Sequence, residues 1–221
     1  MTKIKDSTIL ITGADGGIGK ALVEECLAQG AKKIYATGLN AQSLNQTFEN
    51  IENVFPVELD VTNSERITEC AQLCADTNLL INNAGVEFKV PFIAEKSSQA
   101  ALMEMKVNYI ALIDMINSFV PHLEKLENAG IVNILSLGAL AIVKRLGTYC
   151  ASKSASHVLT ETIREELGQK NIKVMATYIG YVDTAMVPEE TKSEKSTPKN
   201  IAIGICAVSY THLRAHETTD N

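Results

Sequence analysis

The chain has no long run of lysine or arginine, and its 20 basic residues are outnumbered by 26 acidic ones, for a net charge of −6 and a pI near 5.3. That balance excludes a dominant phosphate-neutralising surface, and with it nucleic acid as the main partner. No membrane-length apolar run stands at the N-terminus. The first apolar run there, Thr8 to Thr12, is too brief for a signal segment or a membrane span, so a soluble cytoplasmic protein without a membrane partner is expected. The five cysteines, at positions 26, 70, 74, 150 and 206, form an odd, scattered set that does not read as a secreted disulfide framework. Cys70 and Cys74 have the spacing to share a helix face, yet no histidine or further cysteine lies nearby to complete a tetrahedral metal site. Buried or half-buried thiols are the expectation. Internal repeats and low-complexity tracts are missing as well.

What is present suits one enzyme-sized domain. A chain of 221 residues with 46% hydrophobic content can bury a sizeable core. Short β-rich apolar runs alternate with longer amphipathic stretches, the pattern of an α/β fold with a doubly wound parallel sheet covered by helices on both faces. Strands are predicted at Thr8–Thr12, Lys33–Thr37, Val54–Leu59, Leu79–Asn82, Ile131–Leu135 and Lys173–Tyr178. Helices are predicted at Gly17–Gln29, Asn40–Phe48, Ser64–Cys74, Ser98–Leu126 and Thr148–Gly168, with Ser64 and Ser98 as caps. The polar, charged stretch from Pro188 to Pro198 suits a surface loop, and Pro198 can open a last helix through Ile201–Ile205.

Two motifs carry chemistry. Thr12-Gly-Ala-Asp-Gly-Gly-Ile-Gly19 joins the first strand to the first helix. Its glycines allow a tight turn and close approach of a pyrophosphate, while the helix N-terminus offers free N–H groups and a favourable dipole. Downstream, Tyr149 and Lys153 stand at i and i+4, so a helix projects both from one face toward a common small ligand. A free tyrosine has a pKa of about 10, and general-base work near neutrality needs a nearby cation. Taken singly, each residue has a plainer use: Ser136 as a turn cap, Asn108 as a polar helix position, Tyr149 and Lys153 as a solvated face.

The spacing Thr-Gly-x-x-x-Gly-x-Gly, with Asp60-Val61, Asn82-Asn83-Ala84-Gly85, Asn108, Ser136 and Tyr149-x-x-x-Lys153, resembles the classical short-chain dehydrogenase/reductase family from about Thr8 to about Ile205. The resemblance implies a Rossmann-like domain and a catalytic set of Asn108, Ser136, Tyr149 and Lys153. In that set Tyr149 acts as general acid or base, Ser136 holds the substrate oxygen, Lys153 tunes the tyrosine and binds the nicotinamide ribose, and Asn108 organises a relay water. It also implies cofactor contacts at Gly13, Asp15, Gly17, Ile18 and Gly19, at Thr37, at Asp60 and Val61, at Asn83, Ala84 and Gly85, and at Gly180, Val182 and Thr184. Ile179 departs from the family pattern, which usually has proline there.

The cofactor implied is NAD(P). At the end of the second strand an acid favours NAD and a base NADP. Thr37-Gly38-Leu39-Asn40 has neither, and Gly16 is neutral too, so the absence of a repelling acid leans toward NADP. After Ser136, the run Leu137 to Val143 is apolar and small, fitting either a wall for a hydrophobic carbonyl or alcohol substrate or ordinary packing. The expected reaction is reversible hydride transfer; the alternative is a catalytically silent dinucleotide sensor or scaffold. Residues 208 to 218 resemble a translated sequencing adapter. Residues 1–207 are therefore expected to be the domain, short of its last strand, and 208–221 a non-native tail. Homo-oligomers, dimers or tetramers through the long helices, are implied for a chain with an intact C-terminus.

Overall fold

Strand residues that alternate between two apolar faces dictate a three-layer molecule. The computed structural model describes residues 4–187 and 194–215, with side chains through Ala207. Six strands, β1 (Thr8–Ile11), β2 (Lys33–Gly38), β3 (Val54–Glu58), β4 (Leu79–Asn82), β5 (Gly130–Ser136) and β6 (Lys173–Ile179), form one parallel sheet in the order β3-β2-β1-β4-β5-β6. Ile9, Ile11, Ile34, Ile81 and Ile134 face one layer, made by α1 (Gly17–Ala28), α2 (Ala41–Phe48) and α7 (Pro198–Ala215). Leu10, Tyr35, Leu80, Ile131 and Val174 face the other, made by α3 (Ser64–Leu73), α5 (Ala111–Leu123) and α6 (Gly147–Gly168). The doubly wound class and the single domain expected from the alternation are what the sheet shows.

Four expectations need correction. Asn63, not Ser64, caps α3, its side chain accepting from the N–H groups of Glu65 and Arg66 at 3.1 Å each. A short Asx side chain one position earlier reaches both free donors, and Ser64 is already helical. Ser98 lies inside α4 (Ser97–Met105), which Lys96 precedes without a side-chain cap. The long helix predicted over Ser98–Leu126 is also not one regular α-helix: α4 gives way to a π-helical turn over Lys106–Ile110 before α5 begins. Asn108 sits in that wider turn, a local irregularity that periodicity does not register. α7 runs from Pro198 to Ala215, past the predicted end at Ile205, while residues 188–193 of the expected loop and 216–221 of the expected tail lie outside the described residues.

The strand order reverses between β1, which leads to β2 and β3, and β4, which leads to β5 and β6. Loops leaving the carboxyl ends of β1 and β4 diverge there and open a crevice. The glycine loop, Asn83–Gly85, Ser136 and Gly180 all follow carboxyl ends of strands, so topology gathers what the sequence scatters.

Candidate active site

The glycine loop leaves little room for a side chain at Gly13 and Gly19. Gly13 has φ +62°, and a Cβ there would stand 3.1 Å from the Ala84 Cα. At Gly19 a Cβ would lie 2.1 Å from the Gly13 carbonyl oxygen. Gly16 offers no capping side chain to the first turn of α1, which leaves that turn's N–H groups for a ligand. The loop is pinned to the β4 segment. Thr12 Oγ1 accepts from the N–H groups of Asn83 (2.9 Å) and Ala84 (3.0 Å), and Asn83 Nδ2 donates to the carbonyls of Thr12 (2.8 Å) and Gly13 (3.0 Å). A cradle of this shape would admit a pyrophosphate, and the backbone from Gly13 to Gly19 is what could hold it. When bound, a nicotinamide dinucleotide supplies or accepts the hydride.

Other predicted contacts divide. Thr184 packs on Gly17, whose Cβ would come within 2.8 Å of the Thr184 methyl, so the segment after β6 closes over the start of α1. Val182 is buried and bridges to Ser196, Gly180 is exposed, and Ile18 packs partly against the core. Ile179, in the position where proline was expected, pairs with Ser136 in the sheet register. Asp60 accepts from the Thr62 N–H and hydroxyl, both at 2.8 Å, and stays exposed beside buried Val61. Thr37 is fully buried and its hydroxyl donates to the Ile11 carbonyl at 3.2 Å; it ties β2 to β1 and leaves Gly38 and Leu39 at the crevice.

The four chemistry-bearing residues converge between β4, β5 and α6. Ser136 Oγ accepts from the Gly138 N–H at 3.0 Å, which orients the hydroxyl toward a neighbourhood it shares with the Tyr149 phenol. Burial pushes that phenol up to about 12; Ser136 opposes the rise, while Glu87, Cys150 and Glu104 add to it. The phenol is therefore the protonated, donating form at neutral pH. Lys153 is 7% exposed, stands 5.9 Å from the Tyr149 ring centre, and donates to the Ile134 carbonyl at 3.1 Å. Burial brings its ammonium down to about 8. Gly85 makes this crowding possible, since a Cβ there would stand 3.2 Å from Asn108 Oδ1 and 3.4 Å from Lys153 Nζ.

Asn108 is a clamp. Its Oδ1 accepts from the Val86 N–H and its Nδ2 donates to the Val86 carbonyl and to Ser152 Oγ, all at 2.9 Å. Its own carbonyl accepts from Ser156 Oγ at 2.8 Å. A buried ladder continues through Thr160, Asn133 and Asn82. Sequence reasoning gave no role to Ser152, Ser156 or Asn133 and took Asn82 only as part of the Asn82-Asn83-Ala84-Gly85 motif. Asn82 and Asn133 are register partners on adjacent apolar strands, so a polar residue in each run was the available signal. Glu104, fully buried and accepting from the Phe88 N–H at 2.9 Å, gave none.

The lysine is costly to the fold. A native pKa of about 8 against an ordinary 10.5 means that burying the charged form costs on the order of 3 kcal/mol at pH 7. Between those values the unfolded chain binds the extra proton, so this group's penalty fades as pH rises from about 8 to about 10.5. Lys153→Met is therefore expected to melt higher than the wild type at pH 7, by a margin that shrinks toward pH 10, while losing turnover. Melting curves at both pH values check this, and a variant less stable at pH 7 would refute it.

Among the described residues no cluster of histidine, cysteine or carboxylate side chains could hold a metal ion, and no helix is long and apolar enough to cross a membrane. The chain is 28% identical to an uncharacterized oxidoreductase of Staphylococcus saprophyticus, over 99% of this chain and 98% of that one. An uncharacterized oxidoreductase of Staphylococcus epidermidis is 27% identical over the same shares. In structure it resembles a short chain dehydrogenase from Burkholderia cenocepacia in complex with NADP, at 32% identity and a TM-score of 0.85, covering 93% of this chain and 85% of that one. The fold is shared too by an NADPH-bound short chain oxidoreductase from Pseudomonas aeruginosa, at 21% identity, a TM-score of 0.86, and 95% and 91% coverage of the two chains. The sequence profile of the short chain dehydrogenases matches residues 7–195, and the chain belongs to that family.

Proposed function

We propose that this protein is an oxidoreductase that moves a hydride reversibly between a nicotinamide dinucleotide and a ketone, aldehyde or secondary alcohol, with Tyr149 as general acid or base. The observation that carries the reading is the convergence of Ser136, Tyr149 and Lys153 beside Gly85 and the glycine cradle. Tyr149 delivers the proton to the substrate oxygen, or removes it in reverse, and Ser136 holds that oxygen as charge develops. The Lys153 ammonium favours the phenolate and holds ribose hydroxyls. Asn108 keeps the Val86 backbone and Ser152 in place around them. A silent sensor would have no use for this proton-donating apparatus.

Leu137, Leu140 and Ile142 are exposed, 95% in the case of Ile142, and so are Phe88, Phe92 and Met186 on the neighbouring segments. An exposed apolar rim supports a hydrophobic substrate and speaks against plain packing for this run. Leu102, Ile110 and Val158, exposed on the long helices, support a homo-oligomer, and the location proposed is cytoplasmic.

For the cofactor, the neutral end of β2 and the NADP held by the Burkholderia relative support NADP. One observation favours NAD. A Cβ on Gly38 would lie 2.6 Å from Asp15 Oδ1, so the glycine loop places a carboxylate at the end of β2 after all. Titration of the chain with NADPH and NADH, read by nicotinamide fluorescence, is expected to give saturable binding, tighter for NADPH. Asp15→Ser is expected to tighten NADPH about tenfold relative to NADH, the size of one relieved like-charge contact. Tighter NADH in the wild type would reverse the preference, and failure of a folded chain to bind either would sink the oxidoreductase reading.

A further inference from the structure

Between Val86 and Phe88, both clamped, stands a carboxylate with no hydrogen bond or ion pair among the described residues. The Asn108 amide grips the Val86 N–H and carbonyl, and Glu104 Oε1 grips the Phe88 N–H, each at 2.9 Å. The backbone of Glu87 is thus held from both sides. Its side chain is half-buried and, among the described residues, accepts no hydrogen bond and joins no ion pair. The nearest cation in sequence, Lys89, donates instead to the Met186 carbonyl. Further along, the Phe92 ring lies against Gly147, where a Cβ would meet it at 2.3 Å. The segment 86–92 therefore runs along the reacting side of the site, from Asn108 to the residues just before Tyr149. The Glu87 charge is felt at the Tyr149 phenol. The exposed large apolar side chains on this and the neighbouring segments are Phe88, Phe92, Leu137, Leu140 and Met186, and Lys89 is the cation whose charge reaches Glu87.

A substrate seated on that rim completes the burial of Glu87. If it brings only hydrocarbon, the carboxylate loses water and gains nothing, and such desolvation is expensive. A protonated amine compensates it. Burial, reinforced by Glu104 and opposed by Lys89, already pushes this carboxyl up, which marks how little the protein does to offset its charge. Glu104 strengthens the demand, for its Oε2 is buried with no hydrogen-bond partner. An anionic substrate would instead bring a like charge beside the Glu87 carboxylate.

We propose that Glu87 determines specificity by pairing with a protonated amine close to the reacting carbon of a substrate whose remaining body is apolar. The inference rests on the hydride-transfer reading above and narrows its substrate class to amino ketones and amino alcohols. Selection of this kind works largely by penalty, since a site built to bind a donor rejects the analogue that lacks it.

The test uses the full chain with its preferred dinucleotide and two ketones of equal shape, ω-aminoacetophenone and its methyl isostere propiophenone. Wild type is expected to favour the amine in kcat/KM by at least about tenfold. Glu87→Gln, checked for folding by dinucleotide titration, is expected to bring the ratio close to one, and Glu87→Asp to restore part of it. Equal use of both ketones by the wild type, or a preference that survives Glu87→Gln, overturns the inference and leaves hydride transfer standing. No turnover of either ketone, with Tyr149→Phe indistinguishable from wild type, overturns the hydride-transfer reading and the inference together.

Discussion

Tyr149→Phe is expected to lower turnover by about a thousandfold, in the range ascribed to a positioned proton donor, while leaving dinucleotide affinity within about twofold. The reason is local. The phenol is buried, pushed up to about 12 and close enough to Ser136 for that hydroxyl to oppose the rise, the placement on which its proposed role as proton donor rests. Phenylalanine keeps the ring beside Gly138, where the nearest Tyr149 carbon would be 3.8 Å from a Cβ, so the wall of the site persists and only the proton is lost. The glycine cradle lies on the loop between β1 and α1 and does not involve the hydroxyl. Steady-state rates with any accepted ketone, paired with a fluorescence titration of the dinucleotide, separate the two quantities. A variant with more than about a tenth of wild-type turnover would remove Tyr149 as the proton donor. Equal loss of binding and turnover would instead mark it as structural.

Gly19→Ala is expected to abolish dinucleotide binding and to lower the melting temperature. A Cβ at this position would stand 2.1 Å from the Gly13 oxygen, 2.7 Å from the Ala14 Cα and 2.9 Å from the Gly13 carbonyl carbon, all backbone atoms of the turn itself. No side-chain rotation relieves such contacts, so the turn must open or α1 must withdraw. Opening it breaks the geometry by which Asn83 Nδ2 holds the Thr12 and Gly13 carbonyls. A strain of about 3 kcal/mol corresponds to a loss of roughly 6–12 °C in a domain of this size. Gly204→Ala is the control: nothing lies within 4 Å of a Cβ there, and alanine within a helix is expected to be neutral or slightly stabilising. Wild-type affinity for NADPH in Gly19→Ala, by titration, would show that the cradle is not where the pyrophosphate sits.

Element order was readable because it depends on neighbours in sequence. Leu79–Asn82 forms a strand over the predicted residues, and Lys173 opens β6 as expected, because short β-branched and apolar runs between turn residues have few other uses in a buried sheet. The Asn40–Phe48 helix appears with Asn40 as its cap, accepting from the Ser43 N–H at 3.0 Å. The helix after Ser98 was read only in part. Its apolar periodicity continues through Lys106–Ile110, and the π turn there, which packs on α6 together with α4, is not visible in that periodicity. Asn108 was picked out by its place in a motif, yet its actual contacts, with Val86 and Ser152, join segments distant in the chain.

By itself the sequence determined the alternation of strands and helices, the glycine turn that only φ > 0 and close backbone approach explain, and the shared face of Tyr149 and Lys153. Each follows from backbone geometry over a few residues. The tertiary structure alone decided that the carboxyl ends of β1, β4, β5 and β6 meet at one crevice, that Asp15 stands against Gly38, and that Glu87 is half-buried with no hydrogen bond or ion pair among the described residues. It alone brought Lys153 down to about 8 and the Tyr149 phenol up to about 12. These depend on burial and on charges contributed by remote segments, and such fields exist only once the chain has closed around them.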